Sequence, residues 1–500
     1  MGSGGLDGGA GTLPGLSGIV GCCGLTYTQT GFWSLANLTL PFQPQFQALE
    51  PAKLTQPRTL TMNFYEPERV TPYIQNFNLS IQRELASNMI LDVSYVGSKS
   101  TKLYNRRDIN YVKIFETDFL EAFNVTRAGG NHPLFDRMLM GLNIPGAGRV
   151  NGTTLTGSQA LRLYTPTRTL LANGSAGGVA NFLNTSTNVT GQGGGFIRNG
   201  GLREDFLALN PQFLSVGING NLSNSNYHAL QAQFTKRLSH GFTNQASYTW
   251  SKTLGIADTD NDLTARNPRN PDQDKSVLGF HRTHTIASGG TFELPFGPGR
   301  AFLSAAPSWA QRLTEQWQLG GIFRWVSGQP LTITAGGLTN IDQFARNTPH
   351  VLGEIPQGKV RKMTDGSLPT FFPTLRPGAA GSDPGRAAVT SINTLNAAYN
   401  LRTVFDAQGN VLLTNPAPGE AGSLGIRTIE GPGRFDLDLN LLKRVRIDER
   451  RNLELRADIV NVLNHPVFTR PDTNINSASF GRMSSALEGR RFTLGARLNF

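Results

Sequence analysis

Apolar and polar residues alternate along several segments of the chain. In residues 73–85, Phe77 and Leu79 alternate with Asn78 and Ser80. A period of two places each set on one face of a β-strand. The sequence therefore predicts an all-β fold of nine or ten strands, the first being the weakest: 59–66, 73–85, 89–98, 226–237, 242–251, 281–294, 315–326, 434–446, 452–463 and 490–500.

Strand length and aromatic spacing favour a membrane barrel over a soluble sheet. Most of the predicted strands run about 11 to 14 residues, against roughly 5–6 in soluble sheets and roughly 9–11 for a tilted membrane strand. Trp317 and Trp325 lie eight residues apart on one face, as do Phe492 and Phe500. This spacing approximates the apolar band between two aromatic girdles. We therefore predict a girdle that includes Tyr248, Trp250, Trp317 and Trp325.

The connections between predicted strands alternate between short and long. Counting back from a periplasmic C-terminus puts every short turn in the periplasm and every long loop outside, as in bacterial outer-membrane barrels. We therefore predict an antiparallel transmembrane β-barrel with long extracellular loops. The two longest, 99–225 and 327–433, are expected to be irregular, and the first has room for a further hairpin.

Composition agrees with a membrane barrel. Charged residues are 16% of the chain and Gly accounts for 57 of 500 residues, whereas a soluble domain carries roughly 25% charge and about 7% Gly. No apolar run approaches the roughly 20 residues of a membrane helix. The net charge of +11 comes from dispersed residues, which excludes a nucleic-acid site and suits anionic lipid head groups.

The N-terminal segment differs from the rest. Residues 1–58 are rich in Gly and Pro and are predicted to be irregular, while 59–500 are predicted to form the barrel portion. The start, MGSGGLDGGAG, lacks the basic residues and apolar core of a signal peptide. If the protein belongs in an outer membrane, we therefore expect a fragment or a mispredicted gene. Cys22 and Cys23 are adjacent, which disfavours a disulfide between them, and we expect two small loop residues.

The polar face of the last strands carries most of the charged candidates. One interpretation is a ligand path. The favoured alternative is a water-facing wall with cross-strand ion pairs, such as Arg444 with Glu454. A regular place in the alternation also favours a wall position over an acid/base pair for Asp436 and Asp438. The predicted lumen wall contains Asp436, Asp438, Glu454, Arg456 and Asp458, with Arg324 nearby.

Other motifs give no catalytic or cofactor site. Gly353 to Lys359 resembles a phosphate-binding loop, but Val360 replaces the Mg²⁺-binding Ser/Thr. His281 and His284 point to opposite faces if they share a strand, which disfavours a metal site. No G-x-S-x-G elbow is present. The sequence therefore predicts no enzyme, no cofactor and no metal.

Three stretches, taken in order, resemble the C-terminal barrel of Oar-like TonB-dependent receptors, especially the acidobacterial type with a carboxypeptidase-regulatory-like domain. They read TPYIQNFNLSIQRELASNMILDVSYVGSKSTKL at 71–103, YHALQAQFTKRLSHGFTNQASYTWSKTL at 227–254 followed by FHRTHTIASGGTFELPFGPGR at 280–300, and RFDLDLNLLKRVRIDERRNLELRADIVNVLNHPVF at 434–468 with the terminal RFTLGARLNF.

The resemblance implies the C-terminal part of a 22-stranded outer-membrane barrel, with a plug and a TonB box that this sequence does not show. It implies contact with the lipid bilayer and lipopolysaccharide, an unknown extracellular ligand, and TonB through the missing plug. It also implies a C-terminal signal read by the barrel-assembly machinery, at Phe500 with Leu498 and Phe492.

Three functional hypotheses follow. We favour the barrel portion of a TonB-dependent receptor, in which long loops capture a bulky ligand and a plug moves at the expense of inner-membrane energy. The first alternative is a complete small outer-membrane barrel acting as a passive pore or adhesin, closed by a tenth strand at 59–66. The second is a soluble secreted β-protein that binds carbohydrate through its loops.

Overall fold

The computed structural model describes residues 53–260, 270–305, 307–335, 347–363, 366–448, 451–487 and 489–500. The chain divides into two units, Met1–Lys53 and Leu54–Phe500, and only the second is described below. Cys22, Cys23 and most of the segment predicted to be irregular lie outside the described residues.

Eleven strands form one sheet. In chain order they are β1 (Leu60–Tyr65), β2 (Tyr73–Ala86), β3 (Met89–Asp108), β4 (Phe213–Ser239), β5 (Phe242–Gly255), β6 (Ser276–Val277), β7 (His284–Glu293), β8 (Trp317–Val326), β9 (Arg434–Arg446), β10 (Asn452–Val460) and β11 (Arg491–Asn499). Nine of them pair with their neighbours in the order β2-β3-β4-β5-β7-β8-β9-β10-β11, always antiparallel. Among the described residues, no strand pairs with the outer edge of β2 or of β11.

The registers align the apolar residues of all nine strands on one face. Val93 lies opposite Ala232, which lies opposite Tyr248, which in turn lies opposite Ile286. On the other face, Asp92 lies opposite Gln233, which lies opposite Ser247. The apolar face comprises Phe77, Leu79, Ile81, Val93, Tyr95, Leu230, Ala232, Phe234, Tyr248, Trp250, Ile286, Phe323, Trp325, Leu437, Leu439, Leu455, Ala457, Phe492 and Leu494.

Short turns and long connections lie at opposite ends of these nine strands. Ser239 pairs with Phe242 across a two-residue turn, His240–Gly241, in which both residues have positive φ. That geometry is the type I′ turn, whose twist matches a hairpin. The C-terminus and the intermediate connection 294–316 lie at the short-turn end. Connections 109–212, 256–283, 327–433 and 461–490 lie at the other end, called here the loop end.

The predicted strand at 59–66 exists, but it does not extend the antiparallel series. β1 pairs in parallel with β4, from Leu60 opposite Phe213 to Tyr65 opposite Asn219. This part of β4 lies beyond the end of β5, whose last pair is Gly255 with Ser225. The expectation of a closing tenth strand is therefore wrong, because β1 occupies the side of β4 that β5 has vacated.

The first long connection is shorter than predicted and helical, so the expectation of an irregular loop from 99 to 225 is wrong. β3 and β4 extend to Asp108 and from Phe213, and a two-stranded hairpin joins Asn143–Ile144 to Gly148–Arg149. The helices are α1 (Phe119–Arg127), α2 (Pro133–Leu139), α3 (Gly157–Leu163), α4 (Thr165–Ala172), α5 (Ala176–Thr185) and α6 (Gly195–Asn199).

These helices pack around an apolar core that also receives residues of the second long connection. Phe119, Phe123 and Phe135 are fully buried in it, together with Leu395 from the 327–433 connection. The two connections therefore form one packed body at the loop end, called here the cap. Burying large apolar side chains is the main source of its stability.

A second apolar core lies in the 327–433 connection and includes residues of 461–490, such as Ile475 and Phe480. It contains a four-stranded sheet of very short strands: His350–Val351, Val411–Thr414, Val404–Phe405 and Arg376–Pro377. The remaining elements are the pair Pro330–Leu331 with Ile429–Glu430, helices α7 (Ser308–Thr314) and α8 (Asn393–Ala398), and 3₁₀ turns at Pro271–Asp274 and Pro384–Val389. No helix in the described residues is long and apolar enough to cross a membrane.

A new charge should affect the unfolding free energy differently on the two faces of β4. Ala232→Arg places a guanidinium between Val93 and Tyr248 on the apolar face, and should cost about 2–4 kcal/mol of unfolding free energy at mid-bilayer depth. The matched control, Gln233→Arg, places it beside Asp92 on the polar face. Urea unfolding in phospholipid vesicles measures both, and equal losses would contradict the assignment of the faces.

Candidate functional site

The carboxylates predicted as a wall lie on the polar face, and each has a partner. Arg434 donates to Asp436, and the backbone N–H of Asn461 donates to Oδ1 of Asp438 at 2.7 Å. Both carboxylates thus accept hydrogen bonds from neighbouring groups of the protein.

The same network continues across β9 and β10. The ion pair between Arg444 and Glu454 is present, with Nε and Oε2 3.5 Å apart. Arg456 pairs with Asp458 at 2.8 Å, and that carboxylate also accepts from the Asn440 amide at 2.5 Å. Arg444 with Glu454 and Asn440 with Asp458 join β9 to β10, and such cross-strand pairs hold neighbouring strands in register.

A pocket of about 450 Å³ opens on the polar face near the loop end of β8, β9 and β10. Asp436 and Asp438 line it together with Arg324, Arg434 and Arg491. Arg324 lies directly opposite Asp436 in the register of β8 and β9. Its lining combines these charged groups with the apolar side chains of Ile322, Val460, Val467 and Leu487.

The predicted girdle residues divide between the two ends of the apolar face. Near the loop end, the Tyr248 hydroxyl lies 2.9 Å from Nδ1 of His284, and the His284 ring stacks on both Tyr248 and Trp325. Trp250 is 54% exposed on the same face. Trp317 lies at the other end, where its indole N–H donates to the carbonyl of Leu313 at 2.8 Å.

The C-terminal residues proposed as an assembly signal are accessible. Phe492 and Leu498 belong to β11 and are 62% and 50% exposed, and Phe500 is 96% exposed. Phe492 lies opposite Ile459 and Leu498 opposite Leu453. They therefore continue the apolar face up to the open edge of the sheet.

A buried carboxylate, Asp383, organises part of the 327–433 connection in the cap, and Arg127 links this part to the first connection. Asp383 accepts hydrogen bonds from the Tyr399 hydroxyl at 2.8 Å, from the Gly385 N–H at 2.9 Å, and from the backbone and side chain of Asn415 at 2.9 and 3.1 Å. Arg127 of α1 donates to the carbonyls of Ala172 and Gly385, from the first and second connections respectively.

Burial perturbs the ionisation of this cluster. Burial, followed by the adjacent charge of Asp383, raises the pKa of the Tyr399 hydroxyl above its ordinary value. Burial also lowers the pKa of Arg127, which the nearby Tyr399 and Asp383 partly offset. Neutral Tyr399 is therefore the form that the folded cap holds.

Some signals for the cap were present in the sequence. Thr156 and Gln159 form a reciprocal capping box at the start of α3, a recognisable signature of a helix N-terminus. Pro133 starts α2 in the first-turn position that proline favours. The buried Arg58, which donates to Asn184 at 2.6 Å and pairs with Glu204, had no local signal.

The two histidines considered as a metal pair are held apart by different partners. His284 lies in β7 within the aromatic stack. His281 is buried in the turn before β7, and its backbone N–H donates to the Leu278 carbonyl at 2.9 Å. Among the described residues, no group of three or more His, Cys, Asp or Glu side chains could hold a metal ion.

The sequence matches the family described as outer membrane beta barrel domain over residues 19–493. The chain belongs to this family. The antiparallel transmembrane barrel architecture and the outer-membrane location predicted from the alternation are thereby confirmed. An outer-membrane barrel domain contacts the lipid bilayer, and the apolar face described above is the surface suited to that contact.

Several solved outer-membrane proteins are similar to this barrel domain. The transporter YddB from Escherichia coli is 8% identical over 89% of this chain and 34% of its own, with a TM-score of 0.37. The pyoverdine receptor FpvA from Pseudomonas aeruginosa is 8% identical over 86% of this chain and 30% of its own, with a TM-score of 0.28. The ferric preacinetobactin receptor BauA from Acinetobacter baumannii is 7% identical over 85% of this chain and 29% of its own, with a TM-score of 0.29. The chain spans about a third of the length of these structures. No curated protein matches the sequence.

Tyr399→Phe tests the buried cluster of the cap. The folded cap holds the Tyr399 proton more tightly than the unfolded chain does. The protonated hydroxyl therefore contributes fully to the unfolding free energy below about pH 10, and this contribution is lost as pH rises further. The variant should be less stable by about 1–3 kcal/mol at neutral pH and should approach the wild type under alkaline conditions.

The measurement is the temperature of heat-induced cleavage of the cap by an alkaline-tolerant protease across this pH range. Tyr164→Phe is the matched control, since Tyr164 is buried in the same core but its hydroxyl bonds no carboxylate of the described residues. A parallel pH dependence for wild type and Tyr399→Phe would contradict the assignment.

Proposed function

We propose that this barrel domain forms the wall and extracellular cap of a TonB-dependent outer-membrane receptor that admits a bulky ligand. The observation that carries the proposal is a two-faced sheet of nine antiparallel strands that is capped at its loop end and whose two outer edges pair with no strand of the described residues. The resemblance to Oar-like receptors agrees with it. The polar face would then line the lumen, and the girdle would mark the interfaces of the membrane.

The open edges favour a larger barrel over a complete small one. Backbone groups at an edge have no partner in lipid, and each unsatisfied group costs several kcal/mol. β1 cannot satisfy them, because it pairs with the inner strand β4. The outer edges of β2 and β11 therefore require further strands, which a 22-stranded barrel would supply.

The partners follow from the same proposal. The cap faces the outside, where it would meet the ligand, and lipopolysaccharide would surround the loop end. Phe500 with Leu498 and Phe492 would present the signal for the barrel-assembly machinery. Coupling to TonB would run through a plug domain, while the described residues supply the wall and the cap.

Pairs of cysteines introduced into the protein, expressed in cells from the native gene, distinguish part of a larger barrel from a small closed barrel. With Cys22 and Cys23 replaced by Ser, cysteines on the edge of β2, such as Ile81→Cys, should form no disulfide with any position tried along β11, such as Leu494→Cys. In a larger barrel, further strands would separate these two edges by more than disulfide reach.

Ile81→Cys with Val93→Cys is the positive control, because these residues lie directly opposite each other on β2 and β3. A disulfide between β2 and β11, accompanied by ion conductance in lipid bilayers, would overturn the receptor proposal and establish a small closed pore.

A further inference from the structure

A second cavity, of about 560 Å³, adjoins the charged pocket at the loop end of the polar face. Four arginines line it: Arg282, Arg324, Arg434 and Arg470. No Asp or Glu is among its lining residues. Its volume is within the range of sites that hold small organic ligands, roughly 300–1,000 Å³.

Three of the four guanidinium groups have no carboxylate partner in the described residues. Arg324 makes no hydrogen bond or ion pair there, although Asp436 lies opposite it in register. Arg470 donates to the amide oxygen of Gln329 at 2.7 Å, and Arg282 donates to the carbonyl of His281 at 2.7 Å. Arg434, which pairs with Asp436, is the exception.

These charges also affect one another. Burial, followed by the charge of Arg470, lowers the pKa of Arg282. Like charges held close together destabilise the chain unless a counter-charge is present. Because the lining provides no carboxylate, the counter-charge has to come from outside the cavity. Arginine is suited to this role, since its planar fork binds carboxylate and phosphate oxygens in pairs.

The cavity also has an apolar side. Phe280, Leu331, Val467 and Phe468 line it, and Leu331 belongs to the second apolar core. A bare inorganic anion would leave that side in contact with water, whereas an anion attached to an apolar body would cover it.

We propose that this cavity is a binding site for an oxyanion, a phosphate or carboxylate, carried on a small apolar or aromatic body. Arg324, Arg470 and Arg282 hold the oxyanion, and the apolar side holds the body. The inference deepens the proposed function and rests on it in one respect, because it places the site on the lumen side of the wall.

The test measures binding of phenyl phosphate, inorganic phosphate and uncharged benzyl alcohol to the full chain in lipid nanodiscs, by titration calorimetry. Phenyl phosphate should bind saturably and more tightly than inorganic phosphate, and benzyl alcohol should not bind. Arg324→Gln with Arg470→Gln should weaken phenyl phosphate binding roughly tenfold or more, since hydrogen bonds between charged groups are the strong ones.

Arg444→Gln is the matched control: it removes the same charge from the same face, at a residue that pairs with Glu454 away from the cavity. It should change the affinity less than about twofold. Arg324→Lys keeps the charge without the planar fork and should give an intermediate loss. Protease resistance of the cap checks the folding of each variant.

Failure of folded wild-type chain to bind phenyl phosphate would overturn the inference, as would an equal loss of affinity in Arg444→Gln. Either result leaves the receptor proposal standing. Conversely, a disulfide between β2 and β11 would overturn the receptor proposal without affecting binding to the cavity.

Discussion

The need to pair every backbone N–H and C=O inside a lipid bilayer governs this structure. Nine strands meet it by pairing in sequence, each with the next along the chain. The side chains are then free to differ between faces, with apolar residues toward lipid and polar residues on the opposite side. Among the described residues, no strand pairs with the outer edges of β2 and β11, and the proposal of a larger barrel follows from those two edges.

The same division of faces determines where charge and water belong. On the polar side, Arg444 with Glu454 and Arg456 with Asp458 form ion pairs between or along strands, on the face opposite to the apolar residues. At the loop end, where the bilayer no longer restricts the backbone, the chain builds helices and two apolar cores. The Asp383 cluster joins the two long connections into one cap.

The strands were predictable because a bilayer imposes a period of two that local sequence carries. Prediction failed where that constraint ends. β3 continues past Ser100 through two irregular pairings, which break the alternation. The start of β4 does carry a strand signal, because Leu214, Val216 and Ile218 alternate with Ser215, Gly217 and Asn219. The cap depends on contacts between distant residues, such as Arg58 with Glu204 and Tyr399 with Asp383, so its packing could not be predicted from local sequence. Capping signals such as Thr156 with Gln159 would have revealed individual helices only.

The central claim is that one face of the sheet lies against lipid and the other against water. Measuring the environment of successive residues along β10 tests it most directly. Single cysteines from Leu453 to Ile459, in a chain whose Cys22 and Cys23 are replaced by Ser, can carry a fluorescent label in cells or vesicles. The account predicts that brominated lipids quench the label at positions 453, 455, 457 and 459, whereas aqueous iodide quenches it at 454, 456 and 458. Equal quenching of neighbouring positions by either agent would contradict a strand with one face in lipid and the other in water.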